Sequence, residues 1–170
     1  MVSDETLILD FQRGSRDAFE ELFARYREPI YGFFRRRLPD RQRAEDLTQE
    51  TFLAVIRATA RYQPRSAVRT YLYGIAFKLV AMERRSLARQ GAGSRPAAEC
   101  AAREDGDAAL WVREAVERLD PAEREILMLR EYEQLSYAEI ADLLRLPLNT
   151  VRTRLFRARL ALKEHLHATR

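Results

Sequence analysis

Basic side chains recur near the end of the sequence at a spacing that suits contact with a polyanion. They are Arg152, Arg154, Arg157, Arg159 and Lys163, with no acidic residue among them before Glu164. Apolar residues at 151, 155, 158 and 162 follow intervals of 4, 3 and 4, which predicts a helix with one apolar and one basic face. Arginine binds phosphate and can donate two hydrogen bonds to guanine. This helix is therefore suited to the major groove of duplex DNA.

A second, shorter helix is predicted just before the basic one. Ser136 and Glu139 have the spacing of a capping box, which predicts a helix from 137 to about 144. A break over 145–148 contains a proline, and Asn149 is predicted to cap the basic helix. Two helices joined in this way form a helix-turn-helix.

The charges of this region are segregated. Residues 111–142 hold four Lys/Arg and nine Asp/Glu, whereas residues 143–170 hold seven basic residues and one acid. A basic helix on its own is usually only a solvated face. Segregation of charge between adjacent helices instead favours DNA binding by the basic one.

Composition narrows the class of protein. With 170 residues, 46% of them hydrophobic and 33% charged, the chain is expected to be a soluble globular protein. The sequence has no apolar run of membrane-spanning length and no targeting signal at its start, so we expect a cytoplasmic protein without membrane insertion. The single cysteine, Cys100, excludes an internal disulfide framework, and we expect neither a metal site nor a cofactor.

The organisation along the chain predicts an all-α fold with two small helical domains. Helical periodicity runs through both ends, while residues 88–107 contain glycines and a proline but no large aliphatic residue. We therefore predict an N-terminal domain over 1–87, a flexible linker over 88–107, and a C-terminal helix-turn-helix domain over 108–170.

Two stretches of the N-terminal domain have a composition suited to binding. The first is an acidic and amide-bearing helix face, named here the acidic face: Glu45, Asp46, Gln49 and Glu50. It suits a basic partner helix, and it also fits a merely solvated face. The second, residues 62–73, alternates basic and aromatic side chains and is named the aromatic-basic segment. It suits an unpaired nucleic-acid strand, although tyrosines are also ordinary residues at the rim of a core.

Four segments together resemble a known family. They are FEELFARYREPIYGFFRRRLPDRQRAEDLTQETFLAVIRA, RTYLYGIAF, LDPAEREILMLREYEQLSYAEIADLL and NTVRTRLFRARLALKE, in this order. Over nearly the whole chain they resemble the extracytoplasmic-function group of bacterial sigma factors. The resemblance implies an initiation factor, not an enzyme, whose N-terminal domain binds core RNA polymerase and opens the −10 promoter element. It implies that the C-terminal domain reads the −35 element, and that an anti-sigma factor is a plausible partner.

The resemblance also implies roles for particular residues. Polymerase binding falls on Asp46, Gln49, Glu50 and Phe52. Contact with the −10 element falls on Tyr62, Arg65, Arg69, Tyr71, Tyr73 and Lys78. Contact with the −35 element falls on five residues, named here the reading face: Asn149, Arg152, Thr153, Phe156 and Arg157.

The sequence departs from the family pattern at four positions. Tyr71 stands where the family usually has tryptophan, and Lys78 and Met82 stand where it often has asparagine and aspartate. Arg145 replaces the usual glycine of the turn, which costs on the order of 1 kcal/mol if its φ is positive.

Two other classes of protein remain as alternatives. An autonomous helix-turn-helix repressor or activator would need a dimerisation surface or a ligand pocket, and the sequence shows no heptad seam. A nucleic-acid enzyme such as a recombinase would need a nucleophile or metal-binding carboxylates. His165 and His167 lie at the chain end and Cys100 lies in the predicted linker, so no catalytic set is apparent.

Overall fold

The computed structural model describes residues 2–89, 91 and 107–168, and it is helical, with no strand among them. The chain divides into two compact units, Met1–Ala97 and Ala98–Arg170. The prediction of an all-α fold with two helical parts is confirmed, while the domain boundaries stay a prediction. Residues 92–106 of the predicted linker, including Cys100, lie outside the described residues. Within the described ranges, no helix has the length and apolar character needed to cross a membrane.

The first unit contains four α-helices and one 3-10 turn among its described residues. They are α1 (Asp4–Gln12), α2 (Arg16–Arg35), α3 (Arg41–Ala58), the 3-10 turn (Thr59–Arg61) and α4 (Val68–Arg89). Side-chain oxygens of Ser3, Ser15 and Asp40 accept backbone N–H groups at the starts of α1, α2 and α3. The helix α2 continues through Pro29 without interruption.

The core of this unit is formed by one stripe of buried apolar side chains from each of the three longer helices, α2, α3 and α4. Its members include Ile30, Phe33 and Phe34 of α2, Leu47 and Val55 of α3, and Leu72 and Ala76 of α4. Three buried threonines lie in α3 and in the 3-10 turn that follows it: Thr48, Thr51 and Thr59. The hydroxyl of each donates a hydrogen bond to the backbone carbonyl four residues earlier. These buried polar groups are therefore satisfied within their own helix.

The second unit contains α5 (Asp107–Glu117), α6 (Pro121–Glu131), α7 (Tyr137–Leu144) and α8 (Leu148–Ala168). Asp120 caps α6 by accepting the N–H groups of residues 122 and 123. The predicted capping box is present: the Ser136 hydroxyl accepts the Glu139 N–H and the Glu139 carboxylate accepts the Ser136 N–H. Buried apolar residues of α6, α7 and α8 share one core: Ile126, Leu129, Ile140, Val151, Leu155 and Ala158.

The turn between α7 and α8 has a strained backbone residue. Arg145 has φ 54° and ψ 46°, the left-handed conformation that favours glycine. The prediction for Asn149 as a helix cap is wrong, because α8 begins one residue earlier, at Leu148. The carbonyl of Pro147 already accepts the N–H groups of residues 150 and 151, so Asn149 lies inside the first turn.

Candidate functional site

The reading face lies on the solvent-exposed side of α8. All five of its residues are exposed, and the exposed fraction of Phe156, a large aromatic residue, is 69%. The opposite side of α8 is buried, with Val151, Leu155 and Ala158 at 0–1% exposure. The sequence therefore divides one helix into a packed face and an open face by spacing alone.

Local hydrogen bonds organise the start of the reading face. The Thr153 hydroxyl donates to the Asn149 carbonyl at 2.9 Å, and an Arg152 guanidinium nitrogen lies 3.4 Å from the Asn149 side-chain oxygen. The amide of Asn149 thus holds one reading arginine near the helix start. Arg157, one turn further on, projects from the same open side.

Arg159 has a structural partner that sequence reasoning missed. Its guanidinium donates to the Glu131 carboxylate of α6 at 2.7 Å, and this hydrogen bond raises the pKa of Arg159. Tyr137 on α7 contributes a smaller part of the same pKa rise, and its ring lies 5.3 Å from the Arg130 guanidinium. Arg159 therefore joins α8 to α6. Only the acidic composition of residues 111–142 hinted at such a partner.

The acidic face lies on the outer side of α3. Gln49 and Glu50 are exposed, and Glu45 and Asp46 are partly exposed. Arg43 on the same helix reaches Glu50 at 3.6 Å and Glu83 of α4 at 2.8 Å. The hydrogen bond to Glu83 is the main cause of the raised pKa of Arg43. One guanidinium thus links Glu50 of the acidic face to Glu83 of α4.

Two apolar residues continue the acidic face toward the end of α3, and sequence reasoning missed them. Leu53 is 46% exposed and Ile56 is 44% exposed. They follow Gln49 at intervals of four and three, so the three side chains share one side of the helix. Both residues lie outside the buried stripe that contains residues 44, 47, 51 and 55. Apolar residues at such positions were the sequence signal for an exposed apolar patch.

Phe52 lies in the core. It is 3% exposed, and its ring centroid is 4.7 Å from that of Phe23 on α2. The buried stripe of α3 contains residues 44, 47, 48, 51, 52 and 55, and Phe52 is one of its members. Phe52 therefore supports the acidic face from beneath and does not reach the surface.

A groove adjoins the acidic face between α2 and α3. Its volume is about 390 Å³, and it is lined by Phe23, Arg27, Glu28, Tyr31, Arg41, Glu45, Thr48 and Gln49. The lining mixes both signs of charge with two aromatic rings. The acidic face is thus continuous with a recess that can receive side chains of a partner.

The aromatic-basic segment comprises Tyr62, which directly follows the 3-10 turn, a loop over 63–67 and the first turn and a half of α4. Tyr62 and Tyr71 form an edge-to-face pair with ring centroids 5.1 Å apart. Burial raises the pKa of both tyrosines. Tyr71 is partly exposed, and Arg65 in the loop is exposed.

The other predicted residues of this region are divided between core and surface. Tyr73 is 3% exposed and its ring lies 5.6 Å from that of Phe33, so it packs in the core. Arg69 is partly exposed at the start of α4. Lys78 is exposed and lies two turns beyond Tyr71 on the same side of the helix. The structure therefore brings Tyr71 and Lys78 toward one surface, whereas Tyr62, at 8% exposure, and Tyr73 are buried and do not reach it.

The described ranges hold no group of three or more His, Cys, Asp or Glu side chains arranged to bind a metal ion. The three surfaces instead offer hydrogen bonds, charge and aromatic faces. Their chemistry is that of binding to macromolecules.

Comparison with protein families assigns a family region to each unit. Residues 22–90 match the family model described as Sigma-70 region 2, and residues 109–162 match the model described as Sigma-70, region 4. The first range contains the acidic face and the aromatic-basic segment, and the second contains the reading face.

Individual relatives match nearly the whole chain. The RNA polymerase sigma-H factor of Pseudomonas aeruginosa is 34% identical over 96% of this chain and 93% of its own length. The ECF RNA polymerase sigma-E factor of Haemophilus influenzae is 31% identical over 93% of this chain and 92% of its own. A solved structure of CnrH in complex with the cytosolic domain of CnrY has a TM-score of 0.76 at 27% identity, and covers 97% of each chain.

Proposed function

Because this chain belongs to the extracytoplasmic-function group of bacterial RNA polymerase sigma factors, we propose how its surfaces divide the work of such a factor. Sigma factors bind core RNA polymerase and direct it to specific promoters. We assign polymerase binding and opening of the −10 element to the first unit. We assign reading of the −35 element to the second unit.

The exposed reading face is the observation that carries this assignment. Five residues of α8 point away from a fully buried seam, and no acidic side chain interrupts the basic residues between 152 and 163. Arg152 and Arg157 are positioned to donate to base edges, and Phe156 offers an apolar surface for a thymine methyl group. Lys163, further along α8, is suited to phosphate.

For polymerase binding, the proposed surface consists of Asp46, Gln49 and Glu50 together with Leu53 and Ile56. The carboxylates suit a basic partner surface, and the two apolar side chains supply area that is favourable to bury. Phe52, being buried, acts in this proposal by supporting α3.

For the −10 element, the proposed surface is the partly exposed Tyr71, with Tyr62 beneath it and Arg65 and Lys78 beside it. An unstacked base gains about 1–3 kcal/mol by stacking on an aromatic side chain. The edge-to-face contact with Tyr62 fixes the Tyr71 ring before the base arrives. Arg65 and Lys78 are exposed and available for phosphate.

The remaining partners and roles follow from the family. CnrH was solved with the cytosolic domain of CnrY bound. By analogy, we propose that this chain also has an antagonist, an anti-sigma factor that covers its DNA-reading surfaces. We propose that the chain acts in the cytoplasm with the polymerase. We also propose that it performs no covalent step itself, since nucleotide addition belongs to the core enzyme.

Run-off transcription from genomic DNA tests the function as a whole. Core polymerase is assayed with no factor, with this protein, and with a variant carrying Arg152→Ala and Arg157→Ala. We expect discrete promoter-specific transcripts only with the unaltered protein. If the protein yields no transcripts but binds duplex DNA in the absence of polymerase, it is an autonomous helix-turn-helix regulator and the proposal is wrong.

A further inference from the structure

Helix α1 is attached firmly to the helix that follows it. Leu7 and Ile8 are buried, and the ring of Phe11 lies 4.7 Å from that of Phe19 on α2. At the start of α1, the Asp4 carboxylate accepts hydrogen bonds from Arg25, at 2.7 Å, and from the Tyr26 hydroxyl. Helix α1 is therefore a fixed part of the first unit.

Two side chains of α1 reach the aromatic-basic segment. The Gln12 amide nitrogen donates to the carbonyls of Ala60 and Tyr62 at 3.5 and 3.4 Å. The Glu5 carboxylate accepts the backbone N–H of Val68 at 3.5 Å. Tyr62 and Val68 are the residues on either side of the loop over 63–67. One helix thus holds both ends of that loop.

The Glu5 carboxylate acts as an N-terminal cap for α4. Val68 is the first residue of α4, and the first N–H groups of a helix have no partner within the helix. A carboxylate at this end also interacts favourably with the helix dipole. Because Glu5 comes from a different helix, it fixes where α4 begins relative to α1, and Tyr71 lies one turn further along.

We propose that α1 is a positioning element for the −10 surface, with Glu5 and Gln12 holding the loop over 63–67 so that the Tyr71 ring, packed on the buried Tyr62, is presented to an unstacked base. The proposal rests on the assigned role of that surface in opening promoters. Neither residue contacts DNA in this scheme. Holding the loop in advance lowers the ordering cost that would otherwise oppose base capture.

The test compares Glu5→Ala, Gln12→Ala and their combination with two controls in the full-length protein. Glu5→Gln keeps an oxygen that can accept the Val68 N–H but removes the charge. Asp10→Ala removes a carboxylate from the same helix whose partner is Arg13, at 3.1 Å, outside the aromatic-basic segment. Because Leu7, Ile8 and Phe11 remain in every variant, α1 keeps its apolar attachment to the unit.

The first measurement is amide hydrogen exchange of residues 62–68 in the free protein. We expect exchange about two- to tenfold faster in the alanine variants, the range given by losing one modest hydrogen bond, with Asp10→Ala unchanged and Glu5→Gln less affected than Glu5→Ala. Unchanged exchange in the combined variant would overturn the proposal whether or not the protein opens promoters.

The second measurement is made with core polymerase on a promoter that the unaltered protein opens. We expect the combined variant to bind core polymerase normally but to show weaker permanganate reactivity and poorer discrimination among −10 base variants. A loss of polymerase affinity equal to the loss of opening would overturn the proposal, because α1 would then only stabilise the unit. If the unaltered protein opens no promoter although the exchange result holds, the assigned function fails and the positioning contact stands.

Discussion

The Arg159 guanidinium donates a hydrogen bond to the Glu131 carboxylate at 2.7 Å, across 28 residues of sequence. This contact connects α6 to α8, the helix that carries the reading face. An arginine in a basic helix is therefore used at least partly to hold that helix in place.

We expect the Glu131–Arg159 pair to make a small, salt-dependent contribution to stability. Both side chains are about half exposed, and such pairs typically contribute ~0.2–1 kcal/mol. A double-mutant cycle with Glu131→Ala and Arg159→Ala, followed by denaturant unfolding of the full chain, measures the coupling. Lys163→Ala on the same helix is the control and should show none with Glu131. A coupling that persists at 1 M salt would contradict the screened-pair description.

Charge reversal on the acidic face should weaken polymerase binding. The double variant Asp46→Lys, Glu50→Lys should raise the Kd for core polymerase by about tenfold or more, since like charges facing across an interface cost several kcal/mol. Glu20→Lys combined with Glu114→Lys makes the same change of net charge at exposed positions outside this face. Equal affinities of the two double variants would show that the acidic face is not the binding surface.

Removal of the Tyr71 ring should impair promoter opening. We expect Tyr71→Ala to weaken open-complex formation by the ~1–3 kcal/mol that a stacked base contributes. Tyr71→Phe keeps the ring and should open promoters nearly as well as the unaltered protein. Permanganate reactivity of −10 thymines gives the measurement, and normal reactivity with Tyr71→Ala would remove this residue from the site.

The reading face and the phosphate contacts should differ in their dependence on sequence and salt. Arg152→Ala or Arg157→Ala should cost about 1–3 kcal/mol at one base pair of the −35 element. Lys163→Ala should weaken all promoters alike and lower the salt slope by about one. Transcription with core polymerase across single-base −35 variants separates the two patterns. A uniform loss for both arginine variants would contradict base reading.

Relief of the strained turn should stabilise the second unit. Arg145 has φ 54°, and its side chain is exposed, so Arg145→Gly should raise the free energy of unfolding by about 0.5–1 kcal/mol. Arg145→Ala keeps the Cβ atom and should give no such gain. Denaturant unfolding compares the two variants, and a lower stability for the glycine variant would mean that the arginine side chain stabilises the turn.

The sequence was sufficient to predict those features that depend on residues only three or four positions apart. The capping box at Ser136 and Glu139 and the buried face of α8 follow from intervals of three and four residues. Helix α1 was not predicted, although Ser3 caps it and residues 7, 8 and 11 pack inward. The left-handed residue Gln134, with φ 55°, has no sequence signal of the kind that a glycine provides.

Contacts between distant residues were beyond sequence reasoning. The Glu5 carboxylate accepts the N–H of Val68, which lies 63 residues further along the chain. The residues near Glu5 in the sequence show only an acid in the first turn of a helix, which does not indicate this contact. Phe52, Tyr62 and Tyr73 were assigned to surfaces through family resemblance, whereas the structure buries all three. An aromatic residue is compatible with either the buried or the exposed face of an amphipathic helix. Only the packing of the neighbouring helices decides which face it occupies.

The division of α8 into a buried and an open face has a consequence for how promoter preference can evolve. Substitutions at exposed positions away from caps and cores usually change stability by less than about 0.5 kcal/mol. Arg152, Phe156 and Arg157 are such positions, while Val151, Leu155 and Ala158 preserve the fold. On the proposed assignment of this face to the −35 element, duplicated copies of this chain can acquire new −35 preferences one residue at a time without passing through unfolded intermediates. Separate sets of genes can then come under separate factors built on one scaffold.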